Sequence, residues 1–418
     1  MMRTRLLLAA LALLPLAACG DGDSSSPLKV PELEYGIDEP WPAQGSLPPI
    51  GPAGRIVITN NLDDTLSLLD LDTMDSPGWG ELARIPVGLN PVELEGPHHT
   101  AVSPDGAFYY VGISNYVPGA GSGPHGAHGA GTSDGYCLKL DSTTNRLVGS
   151  VRVDPNPGDV IVSKDGRTLY QTHFDLVKIA EVAKRGGSEQ EMYSRMAILD
   201  AETMTRKEMV PVCPAPHAVR LSLDGRRAYI ACWSDEVAVV ELEQPGHPVS
   251  RVKVGPNAGT AVSPRYEPYA LTVSPTTGAV WVSSLADRGG SYEVQYLDPA
   301  TLTMDPDRTV RLGGPPLFGT FTRDGRTFYM PFQNVDAIAI IDPDTSTVQE
   351  NIPLAPSGCL NVHQVELTPD ERYALVVCEG DHVGPGTFHF VDLAEKKVVK
   401  TVPVGIFPDS VAILRRQP

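Results

Sequence analysis

Three histidines share one register of an internal repeat, a pattern able to bring imidazoles together in a folded chain. The tetrapeptide Ser/Thr-x-Asp-Gly occurs at Ser103-Pro104-Asp105-Gly106, Ser163-Lys164-Asp165-Gly166, Ser222-Leu223-Asp224-Gly225 and Thr322-Arg323-Asp324-Gly325. Counting back seven residues from the hairpin Asp of the aligned units reaches His98, His217 and His363, with Asp409 at the matching place near the C-terminus. His99 adjoins the first, and His173 ends a neighbouring β-rich run. Imidazole is the commonest metal ligand and the side chain that most readily moves protons near neutral pH. The chemistry in view is metal or cofactor binding, then acid–base catalysis; the plain structural alternative is hydrogen bonding to the backbone.

The cysteines keep the same register. Cys213 precedes His217 by four residues and Cys359 precedes His363 by four, while Cys232 and Cys378 follow at equal separations. Thiolate and imidazole suit zinc and copper. An oxidising compartment turns the same pairs into Cys213–Cys232 and Cys359–Cys378 disulfides, which leaves only the histidines as ligands. The spacings match none of CxxC, HExxH or CxxCH. Cys137 has no equivalent in another repeat and reads as a buried thiol.

The repeat must position these groups. Seven short strands recur, each near the end of a unit: Ile85-Pro86-Val87, Val151-Arg152-Val153, Val210-Pro211-Val212, Val252-Lys253-Val254, Val310-Arg311-Leu312, Ile352-Pro353-Leu354 and Val402-Pro403-Val404. Proline inside several of them fits an outer edge strand. A period near fifty residues with four strands per unit predicts an all-β, seven-bladed β-propeller with four-stranded blades. The first unit, from Arg55-Ile56-Val57-Ile58, lacks a leading strand, and Val411-Ala412-Ile413-Leu414 supplies one. Pairing the N- and C-terminal strands closes the ring and hides an edge. His98, His217 and His363 then begin innermost strands at the end of the central channel. A helical insertion, Leu176 to Lys184, falls between second and third strands, and a Gly-rich run, Gly119 to Gly129, holds the corresponding place in the preceding unit. The Asp-Gly pairs and the strand-ending Asp141, Asp200, Asp298, Asp342 and Asp392 read as turn formers.

Val102-Ser103-Pro104-Asp105-Gly106, Tyr229-Ile230-Ala231, Ile340-Ile341-Asp342 and Val402-Pro403-Val404-Gly405 together give an order that resembles the YVTN family of β-propeller repeats. The resemblance covers nearly the whole globular part. It implies an exported propeller and no one activity, because the fold hosts binding platforms, lactonases and cofactor-carrying enzymes. Converging imidazoles are also similar to the histidine ring of nitrous oxide reductase, whose propeller holds copper, and to nitrite reductases, whose propeller holds haem. This chain offers fewer positions than the first and lacks the cytochrome segment of the second.

Residues 1–18 read as a lipoprotein signal peptide: Arg3 and Arg5 are charged, Leu6 to Leu16 is apolar, and Leu16-Ala17-Ala18-Cys19 matches a lipobox. Cys19 becomes the lipidated residue, and with Gly20 after it the expected anchor is the outer membrane of a bacterial envelope, facing periplasm or cell surface. Residues 19–53, rich in Asp, Ser and Pro, form a tether, and residues 54–418 form the propeller. The formal charge of −18 becomes two units more negative once the leader is removed. That balance excludes nucleic acid and leaves membrane attachment to the lipid anchor alone. The leading expectation is a lipid-anchored platform binding an envelope protein or small ligand through an upper face that includes His98, His99, His173, His217, His363 and Trp233. The alternatives are a redox protein holding copper, zinc or another cofactor on His98, His217 and His363, and a lactonase-like hydrolase.

Overall fold

The second strand of each unit is buried along nearly its whole length, as in Tyr373–Cys378, in which every residue is buried. The outer strand alternates, as in Leu147–Pro155 with exposed residues between buried ones. A strand buried on both faces needs a sheet packed against each side, whereas an alternating one needs only one. Stacked blades around an axis meet both requirements. In the computed structural model, which describes residues 47–88, 95–115 and 129–415, seven four-stranded antiparallel sheets form.

Blade 1 takes its innermost strand from the C-terminus: Pro408–Leu414 pairs with Arg55–Asn60, followed by Thr65–Asp70 and Ala83–Pro86. The inner strands of blades 2 to 7 are Glu95–Val102, Pro157–Val162, Pro216–Leu221, Pro268–Val273, Thr320–Phe321 and Val362–Leu367. Seven apolar clusters fill the ring between blades; one runs from Phe174 through blades 4 and 5 to Phe318, and another joins blade 7 to blade 1 through Leu375, Phe388 and Phe390 against Ile56, Ile58 and Leu69. The predicted closure is therefore present. Cys19, the leader and most of the tether lie outside the described residues, as does the Gly-rich run up to His128.

The repeated tetrapeptides are scaffold. Ser103 Oγ donates to Asp105 Oδ1 (2.6 Å) and accepts from Phe108 N, while Gly106 takes φ 69° to bond back to Ser103 O. Ser163, Ser222 and Thr322 repeat the arrangement. A fifth copy, Thr368-Pro369-Asp370-Glu371, departs from the tetrapeptide only at its last residue, where Glu371 takes the left-handed position that glycine fills elsewhere, at φ 56°. The strand-ending Asp141, Asp200, Asp298, Asp342 and Asp392 each accept from main-chain N–H groups two and three residues on. The insertion is a helix, Leu176–Lys184, capped by Asp175 and buried through Ile179 and Val182.

Both cysteine pairs are disulfides. Cys213 lies near the end of the outer strand of blade 3, Thr205–Pro214, and bonds Cys232 at the end of the second strand of blade 4. Cys359, on the connection between blades 6 and 7, bonds Cys378 in blade 7. Cys137 is buried, and burial pushes its thiol up to about 12.

Two predictions follow from these contacts. Each disulfide closes a loop whose ends are 19 residues apart, so replacing either pair by serine lowers the unfolding free energy by about 3 kcal/mol. Denaturant midpoints of both double variants measure this, and no change would show that the blades hold without the link. Buried His389 sits between Thr387 Oγ1 (2.8 Å) and Thr401 Oγ1 (2.9 Å), and burial holds its pKa down to about 4. The unfolded chain binds that proton near pH 6.5. Its contribution is complete above pH 6.5 and is lost as pH falls toward 4, by up to about 3 kcal/mol. In a urea series from pH 7 to 4, His389→Gln shows a shallower fall than the native protein, and parallel curves would refute the assignment.

Candidate functional site

Proline cannot donate to a β-ladder, and the inner strands use that at a common height. Pro97, Pro157, Pro216, Pro268 and Pro408 each open the stretch that faces the axis. Directly after them the ladder slips: six inner strands lose register with their second strands at this point, including blade 7 beside Val362. A bulge of this kind leaves residues unpaired and re-aims their side chains. The residues released are His98 and His99, Gly158 and Asp159, His217, Tyr269, His363, and Asp409.

Hydroxyls clamp the released backbone. Thr59 Oγ1 of blade 1 donates to His98 O (2.6 Å), Thr172 Oγ1 of blade 3 to His217 O, and Ser283 Oγ of blade 5 to Leu317 O (2.9 Å). Each reaches forward to the next blade. Gly158 occupies the histidine position of blade 3 because a Cβ there would lie 2.9 Å from Thr172 Oγ1 and 3.3 Å from His217 O.

Three imidazoles converge. His98, His99 and His217 offer nitrogen atoms that all lie within 4.8 Å of one another. His98 Nδ1 donates to Pro157 O (3.2 Å) and His217 Nδ1 to Tyr269 O (3.2 Å), while His99 Nδ1 stands 3.7 Å from Asp159 Oδ1. Tyr269 stacks on His217 at 3.6 Å, and Phe174 and Phe318 close in at 5.1 and 4.6 Å from His217 and His99. These histidines and His363 are at most 3% exposed. They lie inside the channel, not on an open upper face.

Carboxylates complete the centre. Asp409 places Oδ2 3.0 Å from His98 Nε2 and Oδ1 3.0 Å from His363 Nδ1, and Asn61 Nδ2 donates to Oδ2 (3.2 Å). Glu379 Oε1 lies 3.3 Å from His363 Nδ1 and accepts from Gln333 Nε2 (3.0 Å), while Oε2 meets His382 Nε2 at 2.7 Å. Burial works against charge on His98, but the Asp409 carboxylate, the Pro157 carbonyl and Asp159 outweigh it and raise its pKa. Burial raises that of Glu379 despite His382 and His363. Burial, Asp409, Glu379 and Asp159 hold the Tyr269 phenol well above its usual value.

The trio differs by one member from His98, His217 and His363: His99 takes the third place, and His363 joins Asp409 and Glu379. His173 is buried with Nδ1 donating to Arg195 O (2.6 Å), and burial lowers its pKa. Trp233 is half-buried, edge-on to Phe174 at 5.8 Å. Cys359, Cys378 and His389 also come close together, but the disulfide removes both thiolates and His389 bonds two threonines. Asp159, Tyr269, Phe318 and Glu379 escaped sequence reasoning. Tyr269 could have been found, because it stands in the histidine register.

Toward the hairpins the channel widens into a cavity of about 460 Å³ that reaches His99 and Asp159.

No family model matches this chain, and no curated protein sequence matches it. Solved structures match as folds. The periplasmic gluconolactonase PpgL of Pseudomonas aeruginosa is 16% identical, with a TM-score of 0.59 over 87% of this chain and 99% of that one. A hydrazine synthase chain of Kuenenia stuttgartiensis is 17% identical, with a TM-score of 0.56 over 78% and 92%. The dihydro-heme d1 dehydrogenase NirN, in complex with DHE, is 17% identical, with a TM-score of 0.54 over 90% and 79%. The shared feature is the propeller.

Thr172→Val removes the hydroxyl that holds His217 O and accepts from Asp159 N. The expected cost is about 1–3 kcal/mol, the penalty of leaving buried backbone groups unmade. Unchanged thermal and urea midpoints would show the clamp to be incidental.

Proposed function

We propose that this chain is a lipid-anchored envelope propeller that binds one zinc or copper ion at the inner end of its channel through His98, His99 and His217. The observation that carries this reading is the common orientation of the trio. His98 and His217 donate Nδ1 to Pro157 O and Tyr269 O, and His99 turns Nδ1 toward Asp159 Oδ1 at 3.7 Å, so Nε2 is the nitrogen that each ring would offer a metal. Such outer partners are what fix the tautomer and raise the basicity of metal-binding histidines. Asp409 Oδ2, 3.0 Å from His98 Nε2, belongs to the carboxylate that would balance an ion's charge beside the trio. Imidazole donors favour zinc and copper over magnesium or calcium.

Three protein donors leave room for a further ligand, the arrangement of catalytic rather than structural sites. A bound zinc would act as a Lewis acid of the kind lactone hydrolysis uses; copper would bring electron transfer. Tyr269, Phe174 and Phe318 wall the centre against bulk water, and Asp409 and Asp159 balance an ion's charge. The sealed histidines cannot touch a protein partner directly, so an ion or small molecule inside the channel is what they meet. The YVTN-type repeat, the lipidated Cys19 and the outer-membrane address belong to the same reading and rest on sequence pattern.

Elemental analysis of the full chain, isolated without chelators and again after loading with zinc or copper and desalting, tests it. The expected result is about one ion per chain, with affinity lowered by at least about a hundredfold in His99→Ala and His217→Ala variants that keep the native circular dichroism. No retained metal, or equal retention by both variants, overturns the reading.

A further inference from the structure

The inner strands run from the histidine centre to the Asp-Gly hairpins, and the cavity of about 460 Å³ lies along their second halves. Its walls come from five blades, through residues such as Thr100, Asp159, Arg220, Glu366, Ser410 and Ala412. His99 is the one member of the trio that lines it. The compartment therefore meets the centre through His99 and lies on the hairpin side, away from the disulfides and the helix Leu176–Lys184. Its volume falls within the range that small-ligand pockets occupy.

Arg220 is the cation in this wall. Nη1 is committed to Asp159 Oδ2 and Val219 O, and the guanidinium lies over the Phe318 ring at 5.6 Å. Among the described residues no acceptor takes its Nε or Nη2, and its side chain is 29% exposed. An arginine held at one nitrogen with its other edge open offers the planar fork that takes a carboxylate in two parallel bonds. Phe318 and Asp159 fix the plane of that fork. The Ser410 and Thr100 hydroxyls, 3.2 Å apart, supply a neutral polar strip, and Val160, Val162 and Ile413 supply apolar wall. From these groups we infer that the cavity binds a small hydroxylated carboxylic acid, its carboxylate on Arg220 and its far end directed at His99.

The open edge of Arg220 favours a carboxylate over a neutral sugar at that point of the wall. Asp159 already balances Arg220 at one nitrogen, and burial raises the pKa of Glu366, whose Oε1 accepts from Leu367 N (3.0 Å), so that it opposes an incoming anion less than an ordinary carboxylate would. The ligand's direction toward His99 rests on the metal reading. The anchoring at Arg220 does not.

Calorimetric titration of the full chain with gluconate, and with glucitol as its uncharged counterpart, tests the assignment while metal content is measured on the same samples. Gluconate is expected to bind at least about tenfold tighter than glucitol, and Arg220→Gln to remove that preference. Because Arg220→Gln also strips Asp159 of its partner, Ala412→Trp serves as a second variant; it fills the cavity without touching a charge and is expected to abolish binding. Saturable, Arg220-dependent binding to protein without metal upholds the compartment while the metal reading fails. Metal retention with no gluconate binding up to about 10 mM, or binding unaltered by both variants, overturns the compartment while the metal reading stands.

Discussion

The structure depends on one constraint: the inner strands of six blades must leave their ladders at the same height. A propeller blade gains its stability from complete pairing between neighbours and from apolar faces packed blade on blade, and neither gives a reason to aim a polar side chain at the axis. The proline and bulge at the start of the inner strands supply the exception. Where the ladder slips, one or two residues come free of the pairing while the strand beyond them resumes it. Six blades do this at one level, so groups far apart in sequence meet without any loop reaching across the ring.

Such a centre is costly to build, since imidazoles and carboxylates lose their water without the apolar gain that the blade cores provide. Buried polar groups are tolerated when each is held by a partner, and here the partners are arranged in layers. Side-chain nitrogens of His98 and His217 bond carbonyls exposed by the bulges of neighbouring blades, threonine and serine hydroxyls from the preceding blade hold the carbonyls of the centre, and amides of Asn61 and Gln333 hold Asp409 and Glu379. One disulfide joins blades 3 and 4 and the other ties the connection after blade 6 to blade 7, each with one cysteine four residues before His217 or His363. Their place suits chain segments whose ladder is interrupted next to them.

The fold was legible because it is written seven times. A hairpin tetrapeptide, an edge strand with proline and a missing first strand specify blade number and closure with little dependence on any single residue, and the same ruler aligned the histidines and paired the cysteines. What it could not show were groups that break the repeat. Asp159 sits one place after the histidine register beside a glycine that the Thr172 clamp requires, Arg220 acts from the middle of an inner strand, and Phe318 stands where blade 6 retains only two paired inner residues and bonds His363 O instead. Burial was also outside its reach. Position along a strand says which residues face the axis, but whether the channel above them is open depends on side chains such as Phe174 and Phe318, which stand outside the regular inner-strand pattern.

Closure of the ring and construction of the centre are one event. Asp409 comes from the C-terminal strand, whereas Thr59 and Asn61 come from the N-terminal strand and the turn after it, and these three join His98 to His363 across the seam. Thr59 Oγ1 donates to His98 O and accepts from Ser410 N, so a single hydroxyl bridges the second residue after Pro408 to the blade that follows. Before the last strand docks, His98 and His363 have no shared carboxylate and the blade 1 bulge does not exist. The closing strand therefore supplies the carboxylate around which His98 and His363 meet, and the centre is assembled only in a complete ring.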